Sequence, residues 1–223
     1  MALILSIETS TTNCSVSLSK KAELLVVKED YDRKYSHSER LHTYIHDVLK
    51  HAKVSINDID AIAISKGPGS YTGLRIGVSA AKGLCYALNK PLISIPTLES
   101  LAHQVIKNDG MIVSMLDARR LEVYSAVFDS SYEQIRETKA EILNKGSFSK
   151  YLENGKVYFI GNGVDKTKSL ISDHNAVYID DKLPSAKEMG SIAFNKFKIS
   201  DFEDVAYFEP YYLKDFVALK PKS

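Results

Sequence analysis

The sequence predicts an α/β protein of two lobes, in which strands and helices alternate. The chain has 223 residues, which is enough for two lobes of about 100 residues each. Short apolar runs of strand length alternate with helical patterns in both halves, and a polar segment at residues 107–110 separates them. We therefore expect an N-terminal lobe over residues 1–106 and a C-terminal lobe over residues 107–223, whose aromatic tail packs back on the body.

Composition and charge exclude several classes of protein. An apolar content of 44% with 26% charged residues is that of an ordinary globular protein with a real core. The 29 basic and 28 acidic residues are interspersed, so the sequence shows no basic stripe for direct nucleic-acid binding. Two cysteines without a CxxC pair indicate buried free thiols in a reducing compartment. No stretch reads as a signal peptide or a membrane helix, so we expect a cytoplasmic protein without membrane contact.

The first predicted helix spans residues 36–52. Ser36 and Glu39 fit a capping box, in which the two side chains satisfy amides at the helix start. Cationic residues at the far end suit the helix dipole. One apolar stripe recurs at helical spacing and consists of Leu41, Ile45, Val48, Leu49 and Ala52.

The second predicted helix, residues 72–88, is apolar nearly all round. A helix of that kind must be covered on both sides. It also contains Gly73, Gly77 and Gly83, and each interior glycine costs about 1 kcal/mol relative to alanine. Such a loss usually reflects close approach of another backbone, which predicts a docking surface on this helix.

The other elements follow from alternation, apolar runs and turn residues. Predicted strands lie at residues 2–8, 13–19, 23–28, 59–65, 91–96, 111–117, 122–128, 135–143, 156–160 and 176–179. Two more helices are predicted over residues 97–106, with Thr97 as N-cap, and over residues 185–197, with Ser185 as N-cap. Glu188, three residues after Ser185, completes a second capping box.

A glycine-rich loop, residues 67–75, joins a predicted strand to the second helix. A loop in that place could cradle an anion with its backbone amides. It lacks the Gly-Lys-Ser/Thr of a Walker A loop. Pro68 and Thr72 stand where a nucleophile elbow around Ser70 would need glycines. We therefore favour a tight structural turn over a phosphate site.

Four of the six histidines fall in the first predicted helix: His37, His42, His46 and His51. His42 and His46 have the i, i+4 spacing of a helical metal site. No Glu follows His42 as an H-E-x-x-H pattern would require, and no flanking carboxylate is an obvious third ligand. We expect these histidines on the polar face of the helix, solvated or facing a partner.

Three carboxylates stand near glycine-rich or hydroxyl-rich turns: Glu8, Asp117 and Asp165. Glu8 is followed by the hydroxyl-rich turn 9–12. The sequence Gly-Asn-Gly at 161–163 follows a predicted strand, where the backbone could approach an adenosine, although a lone G-x-G is a weak signal. The candidate nucleotide contacts are Thr9, Ser10, Gly161 and Gly163.

Several segments together resemble the TsaB (YeaZ) family, in order and spacing over nearly the whole chain. They lie at residues 7–10, 66–77, 96–101, 117–124 and 212–213. The resemblance implies a two-lobed actin-like ATPase fold (ASKHA, ribonuclease H-like), with mixed sheets flanked by helices. It also implies a role in forming N6-threonylcarbamoyladenosine at position 37 of tRNAs that read codons starting with A.

In that family TsaB is the dimerization subunit and an inactive paralogue of TsaD, which holds the metal and transfers the threonylcarbamoyl group. The ATPase TsaE joins the two, and free TsaB forms homodimers through the surface that pairs with TsaD. The resemblance implies that the first two helices form this surface, with contacts at Leu41, Ile45, Val48, Gly73, Leu74, Gly77, Val78, Ala81 and Leu84.

The resemblance also implies that this subunit has no catalytic residue, no metal ligand and no required cofactor. ATP or ADP could bind at the junction of the complex, and tRNA would be held indirectly through it. The paralogue's metal site uses an H-x-x-x-H motif, whereas here His37 is followed at that spacing by Leu41. The turn after Glu8 likewise lacks the glycine of the actin-like phosphate turn.

Two alternatives remain open from the sequence. A small ATPase or kinase of the same fold would bind Mg-ATP tightly and turn it over. A metallopeptidase-like protein would hold stoichiometric zinc or iron.

Overall fold

Two five-stranded mixed sheets with the same strand order form the framework of the chain. The computed structural model describes residues 2–30, 37–106 and 109–214. The first sheet contains β1 (Leu3–Glu8), β2 (Cys14–Lys20), β3 (Glu23–Asp30), β4 (Ala61–Gly67) and β5 (Leu92–Pro96). The second contains β6 (Met111–Asp117), β7 (Glu122–Phe128), β8 (Gln134–Ile142), β9 (Val157–Ile160) and β10 (Ala176–Ile179). The orders are β3-β2-β1-β4-β5 and β8-β7-β6-β9-β10, so one topology occurs twice.

In each sheet the first three strands form an antiparallel meander and the last two strands are added in parallel. Parallel neighbours need a crossover connection. In the first sheet α1 (His37–Ala52) with a 3-10 turn (Ile56–Asp58), and then α2 (Tyr71–Leu88), make these crossovers. The other helices are α3 (Thr97–Ala102), α4 (Ser149–Leu152), α5 (Val164–Leu170) and α6 (Met189–Lys198).

The central strand β1 is buried on both faces because helices cover the first sheet from two sides. Leu5 and Ile7 pack with the apolar stripes of α1 and α2. On the opposite face, Ile4 packs with Met189 and Ile192 of α6. A strand covered on both faces reads as a continuous apolar run, which explains why the sequence predicts it so clearly.

The last part of the chain returns to the first sheet. α6 packs on the face opposite α1 and α2, and the segment after it follows the edge of the sheet. The Glu203 amide donates to the Leu92 carbonyl at 2.8 Å, and the Tyr211 amide donates to the Lys66 carbonyl at 2.7 Å. The boundary near residue 106 does fall between the two sheets. The predicted extent of the C-terminal lobe is nevertheless corrected, since residues 185–214 group with the first sheet.

The predicted strands are present with ends shifted by no more than two residues. α3 is shorter than predicted and ends at Ala102. Ser185 does not cap α6, which begins at Met189. The Ser185 hydroxyl instead donates to Glu29 Oε2 at 2.5 Å, so a contact with β3 outweighs the local capping pattern. α4, α5 and the 3-10 turn were not predicted. Ser36, Lys107 and Asn108 lie outside the described residues.

Cys14 and Cys85 are buried free thiols, as predicted. Burial raises the pKa of the Cys14 thiol to about 11 and that of Cys85 to about 12, so both stay protonated at neutral pH. None of the described helices combines the length and the apolar character needed to cross a membrane.

Glu188, the residue before α6, has a carboxyl group whose charged form is disfavoured by burial. Burial raises the pKa of Glu188 to about 7 and outweighs the nearby Lys187 charge, while the Glu29 charge adds to the increase. Between its ordinary value of 4.5 and about 7 the folded state holds this proton and the unfolded state releases it. The free energy of unfolding therefore falls as pH rises through that window.

We expect Glu188→Gln to stabilise the fold at pH 8 and to leave it nearly unchanged at pH 4.5, because the amide does not ionise. Thermal unfolding of both proteins across this range measures the difference. Glu137→Gln, at an exposed position on β8, is the control and should change little. An equal pH dependence in the variant and the parent chain would contradict the assigned pKa.

Candidate partner interface

The turn between β1 and β2 is clamped onto the start of α2. The Thr9 hydroxyl donates to the Gly73 carbonyl at 2.8 Å, and the Ser70 amide donates to the Ser10 carbonyl at 2.6 Å. A Cβ at Gly73 would overlap the Thr9 carbonyl, and one at Gly77 would overlap the Thr9 hydroxyl. These two glycines therefore let the turn lie directly on the helix, within the same chain.

This contact encloses the carboxyl group of the last residue of β1. Glu8 is fully buried, and its Oε1 accepts the Ser10 amide at 2.6 Å. Burial raises the pKa of Glu8, which favours the neutral acid. Thr9 and Ser10 are buried as well, so in this conformation the two predicted nucleotide contacts are not accessible from solvent. A phosphate could reach them only if the turn moved off the helix.

The glycines after β9 and the carboxylate at the end of β6 also make contacts within the chain. A Cβ at Gly161 would overlap the Met115 carbonyl, and one at Gly163 would lie 3.0 Å from Met115 Cγ. Both glycines allow the segment after β9 to pack on β6, and the predicted nucleotide contact at these two positions stays a prediction. Asp117 is engaged by Lys166, whose ammonium donates to Oδ1 at 2.8 Å.

The four histidines of α1 do not share one environment. His37 is buried, with Nε2 2.7 Å from the Thr11 carbonyl, and burial lowers its pKa, which favours the neutral ring. It therefore supports the β1–β2 turn and does not lie on the polar face, contrary to the prediction. His42, His46 and His51 are exposed, as predicted.

A groove runs between the exposed sides of α1 and α2. One portion has a volume of about 740 Å³ and a second portion about 430 Å³. His42 and Leu84 line both portions, so the two portions are adjacent. Residues of the larger portion that project from α2 include Thr72, Arg75, Ile76, Ser79, Ala80 and Gly83. We call this feature the α1–α2 groove.

The structure revises the predicted partner contacts. Of the nine assigned residues, eight are buried in the monomer: Leu41, Ile45, Val48, Gly73, Leu74, Gly77, Val78 and Ala81. Leu84 is half-exposed and lines the groove. The apolar stripe of an amphipathic helix covers its own core first, so most of these residues are covered within the chain, whereas Leu41 and Ile45 line the groove floor.

A second stripe of apolar and small residues on α2 remains partly exposed, and its spacing is visible in the sequence. Ile76, Ala80, Gly83 and Leu84 recur at i, i+4, i+7 and i+8 along α2, which is helical spacing. This stripe lies beside the core stripe, and the near-continuous apolar character of the helix conceals the division between the two.

Gly83 differs from the other two glycines of α2. A Cβ there would meet no atom of the described chain within 4 Å. The helix therefore accepts an interior glycine without any internal packing reason, at a loss of about 1 kcal/mol relative to alanine. Close approach of something outside the chain would explain it.

Substitution by alanine should change the free energy of unfolding in opposite directions at Gly77 and at Gly83. We expect Gly77→Ala to lower the free energy of unfolding by about 1–3 kcal/mol, because its methyl group overpacks against Thr9. Gly83→Ala should raise it by about 0.5–1 kcal/mol, because only the helix propensity changes. Urea unfolding of both variants measures the changes, and a loss of stability in Gly83→Ala would show that its surroundings are not open.

The duplicated sheet and the paired lobes define an actin-like ATPase fold (ASKHA, ribonuclease H-like). A family model described as TsaD, tRNA N6-adenosine threonylcarbamoyltransferase, matches residues 32–222. The tRNA threonylcarbamoyladenosine biosynthesis protein TsaB of Escherichia coli (strain K12) is 31% identical, over 97% of this chain and 96% of that protein. The chain belongs to the TsaB (YeaZ) family.

Other relatives agree with this assignment. The protein of the same name from Bacillus subtilis (strain 168) is 31% identical, over 76% of this chain and 75% of that protein. The solved structure of YeaZ from Pseudomonas aeruginosa superposes with a TM-score of 0.82 at 25% identity, over 96% of this chain and 100% of that one.

Proposed function

We propose that this chain is the non-catalytic, dimer-forming subunit of the complex that makes N6-threonylcarbamoyladenosine at position 37 of tRNAs reading codons that start with A. It pairs with the catalytic paralogue TsaD through the α1–α2 groove, the ATPase TsaE joins the pair, and the free chain pairs with itself. The relatives from Escherichia coli and Bacillus subtilis are tRNA threonylcarbamoyladenosine biosynthesis proteins, which supports this pathway. The proposal places the complex in the cytoplasm.

The α1–α2 groove is the observation that carries the pairing. Its α2 side presents small side chains, Ser79 and Ala80, next to the open position at Gly83. Small residues in this arrangement let a second helix approach closely. Ile76 and Leu84 are only partly buried, so a partner helix would complete their burial, at about 25 cal/mol for each Å² of apolar surface removed from water.

The closed β1–β2 turn supports a non-catalytic role. In this conformation Glu8 and the residues after it are buried against α2 and have no access to a phosphate or a metal ion from solvent. Leu41, which stands where the paralogue's motif has its second histidine, is fully buried in the core. Any ATP or ADP would bind at the junction between subunits, and tRNA would bind to the complex as a whole.

No specific observation favours the two alternatives. A small ATPase or kinase would need the β1–β2 turn to leave α2, and tight binding of Mg-ATP with turnover by the isolated chain would support it. For a metallopeptidase, the part of the chain that the structure describes contains no group of three His, Cys, Asp or Glu side chains placed to hold a metal.

Gly83→Gln tests the pairing surface. The added side chain occupies the open space above α2, so it should weaken pairing with TsaD by about 10-fold to 100-fold, since a polar group buried without a partner costs about 1–3 kcal/mol. The same change should raise the unfolding temperature, because glutamine is a better helix former than glycine. Titration of purified TsaD with this chain gives the affinity, and threonylcarbamoyl transfer by the reconstituted complex should fall in parallel.

Asn195→Gln is the matched control. Asn195 is exposed on α6, which packs on the opposite face of the first sheet, so this variant should pair normally. Loss of pairing together with a gain in stability cannot come from unfolding. Normal pairing by Gly83→Gln would show that the interface lies elsewhere.

A further inference from the structure

We propose that the α1–α2 groove selects a partner surface that carries carboxylates, and that a second copy of this chain is the weaker occupant. The inference rests on the proposed function and adds the chemistry by which the groove distinguishes its partners. It follows from the sign of the charges that line the groove.

The ionisable side chains along the groove are neutral or cationic. Arg75 lines the larger portion, Lys50 lines the smaller portion, and His42 and His46 lie along α1 between them. None of the described residues that line either portion is Asp or Glu. Besides these, the lining contains only the phenol of Tyr71 and the buried His37 as titratable groups.

The two groove cations are not neutralised within the described part of the chain. Arg75 lies over the Tyr71 ring, with 5.3 Å from its guanidinium carbon to the ring centroid. No ion pair between described residues involves Arg75 or Lys50. Both charges are therefore available to a partner.

The carboxylates near α1 lie outside the groove lining. Asp47 pairs with Lys28 of β3 at 3.5 Å, and Asp30 pairs with Arg40. Glu39 is exposed in the first turn of α1 and does not line the groove. These three carboxylates therefore do not belong to the groove lining.

A two-fold pairing of this chain with itself uses the same patch on both copies. Because Arg75 and Lys50 have the same sign and no carboxylate is among the described lining residues, charge pairs between the lining residues of the two copies are repulsive. A partner with carboxylates gains attraction from the same groups.

The test is a pair of affinities measured on the full chain and on a double variant, Lys50→Gln with Arg75→Gln. Self-association is measured by analytical ultracentrifugation, and pairing with purified TsaD by calorimetric titration, at about 50 and 500 mM NaCl. Removing the charges should tighten self-association and weaken pairing with TsaD, each by about tenfold at low salt, which is the scale of surface charge pairs at interfaces. For the unaltered chain, high salt should act in the same two opposite directions.

If the two charges select the partner, the affinities for self-association and for TsaD change in opposite directions. A merely structural role of Lys50 and Arg75 would change both affinities in the same direction. Lys198→Gln on α6 is the control and should change neither. Two affinities that move together, or that do not move at all, overturn the inference. If Gly83→Gln abolishes pairing while the charge variants have no effect, the interface stands and only the charge selection is lost. If Gly83→Gln pairs normally, the proposed function itself fails.

Discussion

The contact between the β1–β2 turn and the start of α2 determines most of what this chain can do. Thr9 lies directly on α2 because Gly73 and Gly77 have no side chains, and its hydroxyl donates to the helix backbone at 2.8 Å. The carboxyl of Glu8, at the end of the central strand, is thereby enclosed, and His37 supports the turn from α1. In an actin-like fold the first β-turn is the expected place for a phosphate, and here the protein's own helix occupies it.

The same contact orients α2. One side of the helix is fixed against the turn and the core, so its small residues on the other side are left at the surface beside α1. The two helices together then present a groove with an apolar floor, cationic lining residues and an open glycine position. The side of α2 that faces away from the turn is thus left as a surface beside α1.

The sequence predicted the strands and the main helices well, because burial of β1 on two faces and the apolar stripe of α1 leave clear patterns. Eight of the nine predicted partner residues are buried in the chain's own core. An apolar residue such as Ala81 or Val78 reports burial, and its own core buries it before any partner does. The three glycines of α2 look alike in sequence, yet Gly73 and Gly77 serve an internal contact whereas Gly83 faces open space.

Long-range contacts explain the other differences. Ser185 has a good local capping pattern, but its hydroxyl is taken by Glu29, a residue 156 positions away. The return of α6 to the first sheet likewise depends on apolar residues at both ends of the chain, such as Ile4 and Met189, meeting in one cluster. No local pattern records which sheet a late helix will join.

Hydrogen–deuterium exchange of this chain, alone and mixed with purified TsaD, tests the α1–α2 groove most directly. The account predicts that TsaD slows exchange in α1 and along α2, with little change in α6 or in the second sheet. Protection confined to α6 or to the second sheet, with α1 and α2 unaffected, would contradict it.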